Sequence, residues 1–226
     1  MYLDEHRSGH KSPNKGTRFI AVAGNIGAGK SSLVKFITTN WEVKPFFEPN
    51  EVNPFLTDFY QDMQRWAFHS QISFLAKRLA LHQQLVTEPG VVVQDRTIYE
   101  DAEIFAKNLH LNGHMTAREY ETYYELYQSI VATLPSPDLL IYLRCSVKMA
   151  RKRIRFRGRP EEQSIPRAYI STLHDLYEDW FGRWNRSDSL VIEMDTLDWK
   201  NDLVHRAELM ESIDNLLKQD GPEPRP

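Results

Sequence analysis

Two glycines separated by four residues, then a lysine and a hydroxyl residue, open the chemistry of this chain: Gly24-Asn25-Ile26-Gly27-Ala28-Gly29-Lys30-Ser31-Ser32. Glycine reaches backbone angles that clash for other residues. Successive N–H groups can then turn inward and form a nest for phosphate oxygens at a helix N-terminus. Lys30 reaches the outer phosphates in such a loop, and the Ser31 hydroxyl is placed to hold Mg²⁺. The loop needs a strand before it and a helix after it. Phe19-Ile20-Ala21-Val22-Ala23 reads as a buried strand, and 32–40 reads as a helix. The chain is expected to bind a nucleoside triphosphate, ATP or another.

Phosphoryl transfer also needs charge neutralisation and a group that takes the acceptor's proton. Asp95 follows the apolar run Val91-Val92-Val93-Gln94, the usual place for an acid that contacts the metal; a helix cap is the alternative. Glu48 ends a second strand-like run and could serve as general base, or simply open a loop. The segment 144–159 carries eight of the 28 basic residues and no acid: Arg144, Lys148, Arg151, Lys152, Arg153, Arg155, Arg157 and Arg159. Arg153 and Arg157 share a helix face. The cluster fits a lid over transferring phosphates. A solvated basic helix and a nucleic-acid patch are the alternatives; overall acidity and the following Glu161-Glu162 weigh against the latter. Gln71 and Arg78, seven apart, point the same way from the border of the apolar face of a long helix; they suit a base edge, or are ordinary polar positions on an amphipathic helix.

The positioning elements alternate between strand and helix, which predicts a parallel sheet covered by helices. Strands are expected at 19–23, 41–47, 91–94, 139–143 and 190–194. Helices are expected at 32–40, 55–64, 66–86, 99–108, 116–131, 147–157, 167–184 and 200–218. The apolar face of 66–86 is expected to run through Phe68, Ile72, Leu75 and Leu79. Thr116 and Glu119 form a candidate capping box, and Ser146 a candidate cap. The glycine loop, Glu48 and Asp95-Arg96 all fall at C-terminal strand ends, where open α/β sheets bind ligands.

With 226 residues the chain suits one domain with a lid, and its net charge of −3 is unremarkable. Residues 17–218 are expected to form the domain, with a lid at about 155–166. Residues 1–16 and 219–226 are expected to be disordered extensions. No apolar run has membrane-span length and no apolar signal core opens the chain, which points to the cytoplasm. Cys145 is the single cysteine, so no intrachain disulfide forms and buried filler is its expected role. The eight histidines make no convincing metal set.

Six pieces in order resemble the deoxynucleoside kinases, with the bacterial deoxyadenosine kinase branch nearest. They are 24–32, Phe47-Glu48-Pro49, Trp66-Ala67-Phe68-His69-Ser70-Gln71, Gln94-Asp95-Arg96-Thr97-Ile98-Tyr99-Glu100-Asp101, Pro137-Asp138-Leu139-Leu140-Ile141-Tyr142-Leu143, and Arg157-Gly158-Arg159-Pro160-Glu161-Glu162-Gln163. The resemblance implies an α/β P-loop kinase fold with a five-stranded parallel sheet and a short Arg-rich lid. It implies Glu48 as the base for the sugar 5′-hydroxyl and Arg96 as its brace. Tyr60 and Glu162 would hold the 3′-hydroxyl, with Tyr60 also filling the space of a 2′-hydroxyl. Gln71 would read the base, beside an Arg78–Asp101 pair, and Phe105 would stack on it. Arg153, Arg157 and Arg159 would meet the donor phosphates. A homodimer through helices like 99–108 and 116–131 is also implied.

Three positions depart from relatives within that family. Asn53 stands where mammalian deoxycytidine enzymes carry Trp, Ser70 stands where some relatives have an aromatic, and Asp95 replaces a Glu. The expected activity is salvage phosphorylation of a deoxynucleoside, deoxyadenosine favoured, deoxycytidine or deoxyguanosine next. A nucleoside monophosphate kinase such as thymidylate kinase is the alternative enzyme, although a carboxylate at the acceptor would repel a monophosphate. A non-catalytic kinase-fold subunit is the alternative from another class.

Overall fold

The computed structural model describes residues 3–6, 17–47, 53–163 and 165–218. The central strand is β2 (Thr17–Ala23), with β4 (Gly90–Asp95) and β5 (Leu139–Arg144) on either side. Beyond them lie β3 (Val43–Phe46) and β6 (Asp188–Glu193). All four pairings among these five strands are parallel. A sixth strand, β1 (Leu3–His6), adds antiparallel to β6 and gives the order β1-β6-β5-β2-β4-β3. These four residues fall within 1–16, where disorder is expected from composition, and form a strand instead. A short strand with two acids has no apolar alternation to signal it, and an edge position requires none.

Both faces of the sheet are covered, so strands such as β2 read as continuous apolar runs. Phe19, Ala21 and Ala23 face one core with Val92, Leu140 and Tyr142; Ile20 and Val22 face the other with Val93 and Ile141. The first core is closed by α3 (Met63–Leu85), α6 (Ala117–Val131) and α9 (Arg167–Gly182). The second is closed by α1 (Lys30–Asn40), α7 (Val147–Arg157) and α10 (Leu203–Lys218). The short α2 (Leu56–Gln61) leads into α3.

After β4 the chain forms one continuous helical stretch: α4 (Ile98–Glu100), a π-helical segment Asp101–Ala106, and α5 (Lys107–Leu111). Such π segments recur at functional sites. Local caps place these helices. Thr116 and Glu119 form the expected capping box of α6, and the Ser146 hydroxyl accepts from Met149 N at 3.2 Å to start α7. Gly158 ends α7 with φ 70°, and the expected lid region, 155–166, contains a short helix, α8 (Pro160–Gln163).

The buried face of α3 is not the one the apolar residues suggested. It runs through Ala67, Gln71, Leu75, Arg78, His82 and Leu85, spaced by threes and fours. Phe68 and Ile72 are only partly buried. Gln71 and Arg78 therefore stand in the middle of the inward face, not at its border. The polar members of this face are tolerated because they have buried partners: Arg78 pairs with Asp101, and His82 lies 3.0 Å from Pro135 O.

Candidate active site

β2 lies between β4 and β5, so the chain leaving it enters the crevice at the C-terminal strand ends. There the loop 24–29 turns into α1. Gly24, Gly27 and Gly29 have φ of 150°, 80° and 108°. Gly27 is also a packing requirement: a Cβ there would sit 2.5 Å from the carbonyl oxygen of Ala150 in α7. Lys30 is buried, and its Nζ donates to the carbonyls of Gly24 (2.6 Å) and Asn25 (3.1 Å). The Asn25 side chain donates to Ile170 O at 3.1 Å and accepts from Ile26 N, which ties the loop to α9. Ala28 O accepts from Arg153 Nη1 at 2.8 Å, while Arg153 Nη2 donates to Met194 O at 2.8 Å. Arg153 thus bridges the loop to the end of β6.

Asp95 ends β4 opposite Val22 of β2. Its Oδ2 accepts from the Ser31 hydroxyl at 2.5 Å, whereas its Oδ1 is buried with no hydrogen-bond partner among the described residues. A hydroxyl and a carboxylate with an unused oxygen fit the hard-oxygen preference of Mg²⁺. Arg96 follows with φ 66°, the single non-glycine positive φ among the described residues. Its guanidinium lies over the Phe105 ring, 4.2 Å from the centroid.

Glu100 is a site residue that the sequence reading passed over. It is fully buried and holds the turn and the glycine loop together. Its Oε2 accepts from Thr97 N (2.8 Å), closing a capping box, and its Oε1 accepts from Gly24 N (3.2 Å) and the Tyr177 hydroxyl (2.9 Å). Burial raises its pKa above the ordinary carboxylate value, opposed by Lys30 and Arg96. The Thr97-x-x-Glu100 spacing was the available signal.

Arg78 and Asp101 form a buried ion pair, with Nε donating to Oδ2 at 2.9 Å. Gln71 is buried two turns earlier on the same α3 face. Asn53 is occupied: its amide donates to Ser70 O (3.1 Å) and Ser70 Oγ (3.0 Å), fastening the start of the next segment to α3. Tyr60 is 46% exposed at the end of α2. Nearby Tyr169 has its phenol pushed up to about 12, first by burial and then by Tyr60, with Arg96 opposing. Glu48 lies outside the described residues.

The lid closes on itself. Glu162 accepts from Arg157 Nε at 3.0 Å and pairs with Arg159 Nη1 at 3.4 Å. A cleft of about 1370 Å³ opens beside it, lined by Gly27, Gly29, Arg153, Phe156, Met194 and Trp199 among others. Arg153 and Arg157 border the same cleft as the glycine loop. Cys145 is buried, and burial pushes its thiol up to about 12, which makes it a poor nucleophile. No helix among the described residues is long and apolar enough to cross a membrane.

Known proteins share this arrangement. The family profile described as Deoxynucleoside kinase matches residues 20–218. A Bacillus subtilis (strain 168) protein named deoxyadenosine/deoxycytidine kinase is 38% identical over 202 residues, 88% of this chain and 90% of the relative. A Lactobacillus acidophilus deoxyadenosine kinase is 34% identical over 211 residues, 89% of this chain and 97% of the relative. A solved structure of deoxyadenosine kinase from M. mycoides with bound dCTP superposes with a TM-score of 0.75 at 30% identity, covering 87% of this chain and 99% of that one. The match runs from β2 through the last helix, and it takes in the glycine loop, the Asp-Arg turn and the lid alike. The chain is a phosphotransferase and belongs to the deoxynucleoside kinase family.

Proposed function

We propose that this kinase transfers the γ-phosphate of ATP, or of another nucleoside triphosphate, to the 5′-hydroxyl of a deoxynucleoside, with deoxyadenosine preferred. The observation that carries the preference is Gln71, buried on the α3 face that also bears the Arg78–Asp101 pair. One amide offers a donor and an acceptor. Adenine presents the matching pattern at N6 and N1, and cytosine at N4 and N3. Guanine reverses the pattern, which a flipped amide accommodates; thymine reverses it and adds a methyl group. Relatives are named for deoxyadenosine, deoxycytidine and deoxyguanosine alike, so the order among these three rests on Gln71.

Glu48, two residues beyond β3, takes the proton of the 5′-hydroxyl. Arg96 braces that base and the 5′-oxygen. Phe105 offers the base the face that Arg96 leaves uncovered. Tyr60 and Glu162 hold the 3′-hydroxyl, and Tyr60 disfavours ribose. Ser31 and Asp95 hold Mg²⁺, which when bound neutralises charge on the donor phosphates. Lys30 and Arg153 meet those phosphates from the loop side. Arg157 and Arg159 exchange their contact with Glu162 for the phosphates as the lid closes. The enzyme acts in the cytoplasm as a homodimer that packs through 98–111 and α6, where Leu126 is 43% exposed.

The test is kcat/KM for the four deoxynucleosides and their ribose forms with ATP·Mg²⁺. Deoxyadenosine should lead, deoxycytidine or deoxyguanosine should follow, and thymidine should be poor, because a mismatched edge leaves buried polar groups unpaired. A clear preference for thymidine would overturn this reading of Gln71.

A further inference from the structure

The left-handed turn at Asp95-Arg96 is strained, and one buried side chain grips it. L-residues adopt a positive φ at a cost, and such residues persist only where their surroundings over-determine them. Arg78 supplies that constraint from α3. Its Nη1 reaches the carbonyl oxygens on both sides of the strained residue, Asp95 O at 3.4 Å and Arg96 O at 3.2 Å. The rest of the guanidinium is fixed by Asp101: Nε donates to Oδ2 at 2.9 Å and Nη2 approaches Oδ1 at 3.4 Å. A two-point grip on a carboxylate sets the plane of the guanidinium, and so aims the remaining nitrogen. Arg78 is 1% exposed and Asp101 is 4% exposed. Two further contacts complete the turn: Arg96 N donates to Val22 O at 3.0 Å, and Thr97 N donates to Glu100 at 2.8 Å.

We infer that Arg78 is a positioning residue for the catalytic turn, acting on turnover with every base and not only on the choice of base. The inference rests on the phosphoryl-transfer reading above. Two groups depend on the turn. The Asp95 carboxylate must stay beside the Ser31 hydroxyl, and the Arg96 guanidinium must stay over Phe105. Phe105 belongs to the π-helical segment that begins at Asp101, so the same ion pair fixes the turn and the ring on which Arg96 lies. A lysine cannot replace this, because one ammonium does not span a carboxylate and two carbonyls in a fixed plane. Displacing a reacting group by about 1 Å costs about 10²-fold in rate.

The test uses Arg78→Lys and Asp101→Asn in the full-length protein, with kcat and KM measured for each deoxynucleoside that the wild type accepts. Binding of ATP is measured separately by calorimetry, with Mg²⁺ and with EDTA. The expected result is a fall in kcat of about 10²-fold for Arg78→Lys, by a common factor for all bases. Asp101→Asn should give a smaller fall of the same kind. ATP affinity should drop several-fold in Mg²⁺ and stay unchanged in EDTA, because only the Asp95 contact is disturbed. A loss confined to some bases, or a rise in KM with kcat intact, would overturn the inference and leave the pair as a base reader alone. Wild-type inactivity toward every deoxynucleoside would count against the phosphoryl-transfer reading; the binding arm would still decide whether Arg78 governs Asp95.

Discussion

The Ser31 hydroxyl donates to Asp95 Oδ2 at 2.5 Å and so joins the first turn of α1 to the end of β4. The second oxygen of Asp95 is buried and has no partner among the described residues, a costly state for a carboxylate unless a cation completes it. Asp95→Asn keeps the size and removes the charge. Affinity for ATP·Mg²⁺ should fall about 10–100-fold, the range for disturbed metal-supporting groups, while affinity in EDTA should hold. Calorimetry in the two buffers checks this. Equal losses in both would take Asp95 away from the metal.

Glu48→Gln preserves shape and removes basicity. Turnover should fall about 10²-fold or more, with ATP binding little changed, as for loss of a general base. Near wild-type turnover would remove Glu48 from the proton transfer.

Two glycines separate strain from packing. At Gly27 a Cβ would meet the Ala150 carbonyl at 2.5 Å and φ is 80°; at Gly158 φ is 70° and nothing lies within 4 Å. Gly27→Ala should push α7 off the loop, cut ATP affinity at least tenfold, and lower stability beyond the roughly 1–3 kcal/mol of a left-handed residue. Gly158→Ala should show that strain alone in its melt, and its ATP affinity should fall less than that of Gly27→Ala. Thermal melts and ATP titrations of both variants compare the two. Indistinguishable variants would contradict the close approach at Gly27.

Much of this architecture could be read from residue order because local signals agreed with global ones. Ser146 and Gly158 mark both ends of α7, and Thr116 marks the start of α6. The glycine loop and Asp95-Arg96 were readable because phosphate chemistry demands those residue types at strand ends. Other features were hidden for physical reasons. Leu3–His6 is an edge strand whose partner, β6, lies far along the chain. The inward face of α3 carries Gln71, Arg78 and His82, so hydrophobic spacing pointed to the wrong flank. The Glu100 contact to Gly24 spans 76 residues, and only the capping half of its role is local.

His82 gives the fold an acid sensitivity. It is 1% exposed, its Nε2 lies 3.0 Å from Pro135 O, and its ring meets Phe19 edge-on at 5.3 Å. Burial pulls its pKa from 6.5 down to about 4, partly offset by the Pro135 carbonyl. Between those values the unfolded chain binds more protons than the folded one, so stability rises with pH across the window and is lost on acidification. The shift corresponds to about 3 kcal/mol at most. Denaturation midpoints from pH 7.5 to 4 should fall more steeply for wild type than for His82→Gln, whose amide can still donate to Pro135. Parallel slopes would remove His82 as the titrating group.

The most direct measurement is the fate of γ-labelled ATP with deoxyadenosine and with deoxyadenosine monophosphate offered side by side. The account predicts label on the 5′-oxygen of deoxyadenosine, giving the monophosphate, and little transfer to the monophosphate itself. Label passing mainly to the monophosphate, or appearing only as free phosphate, would contradict it.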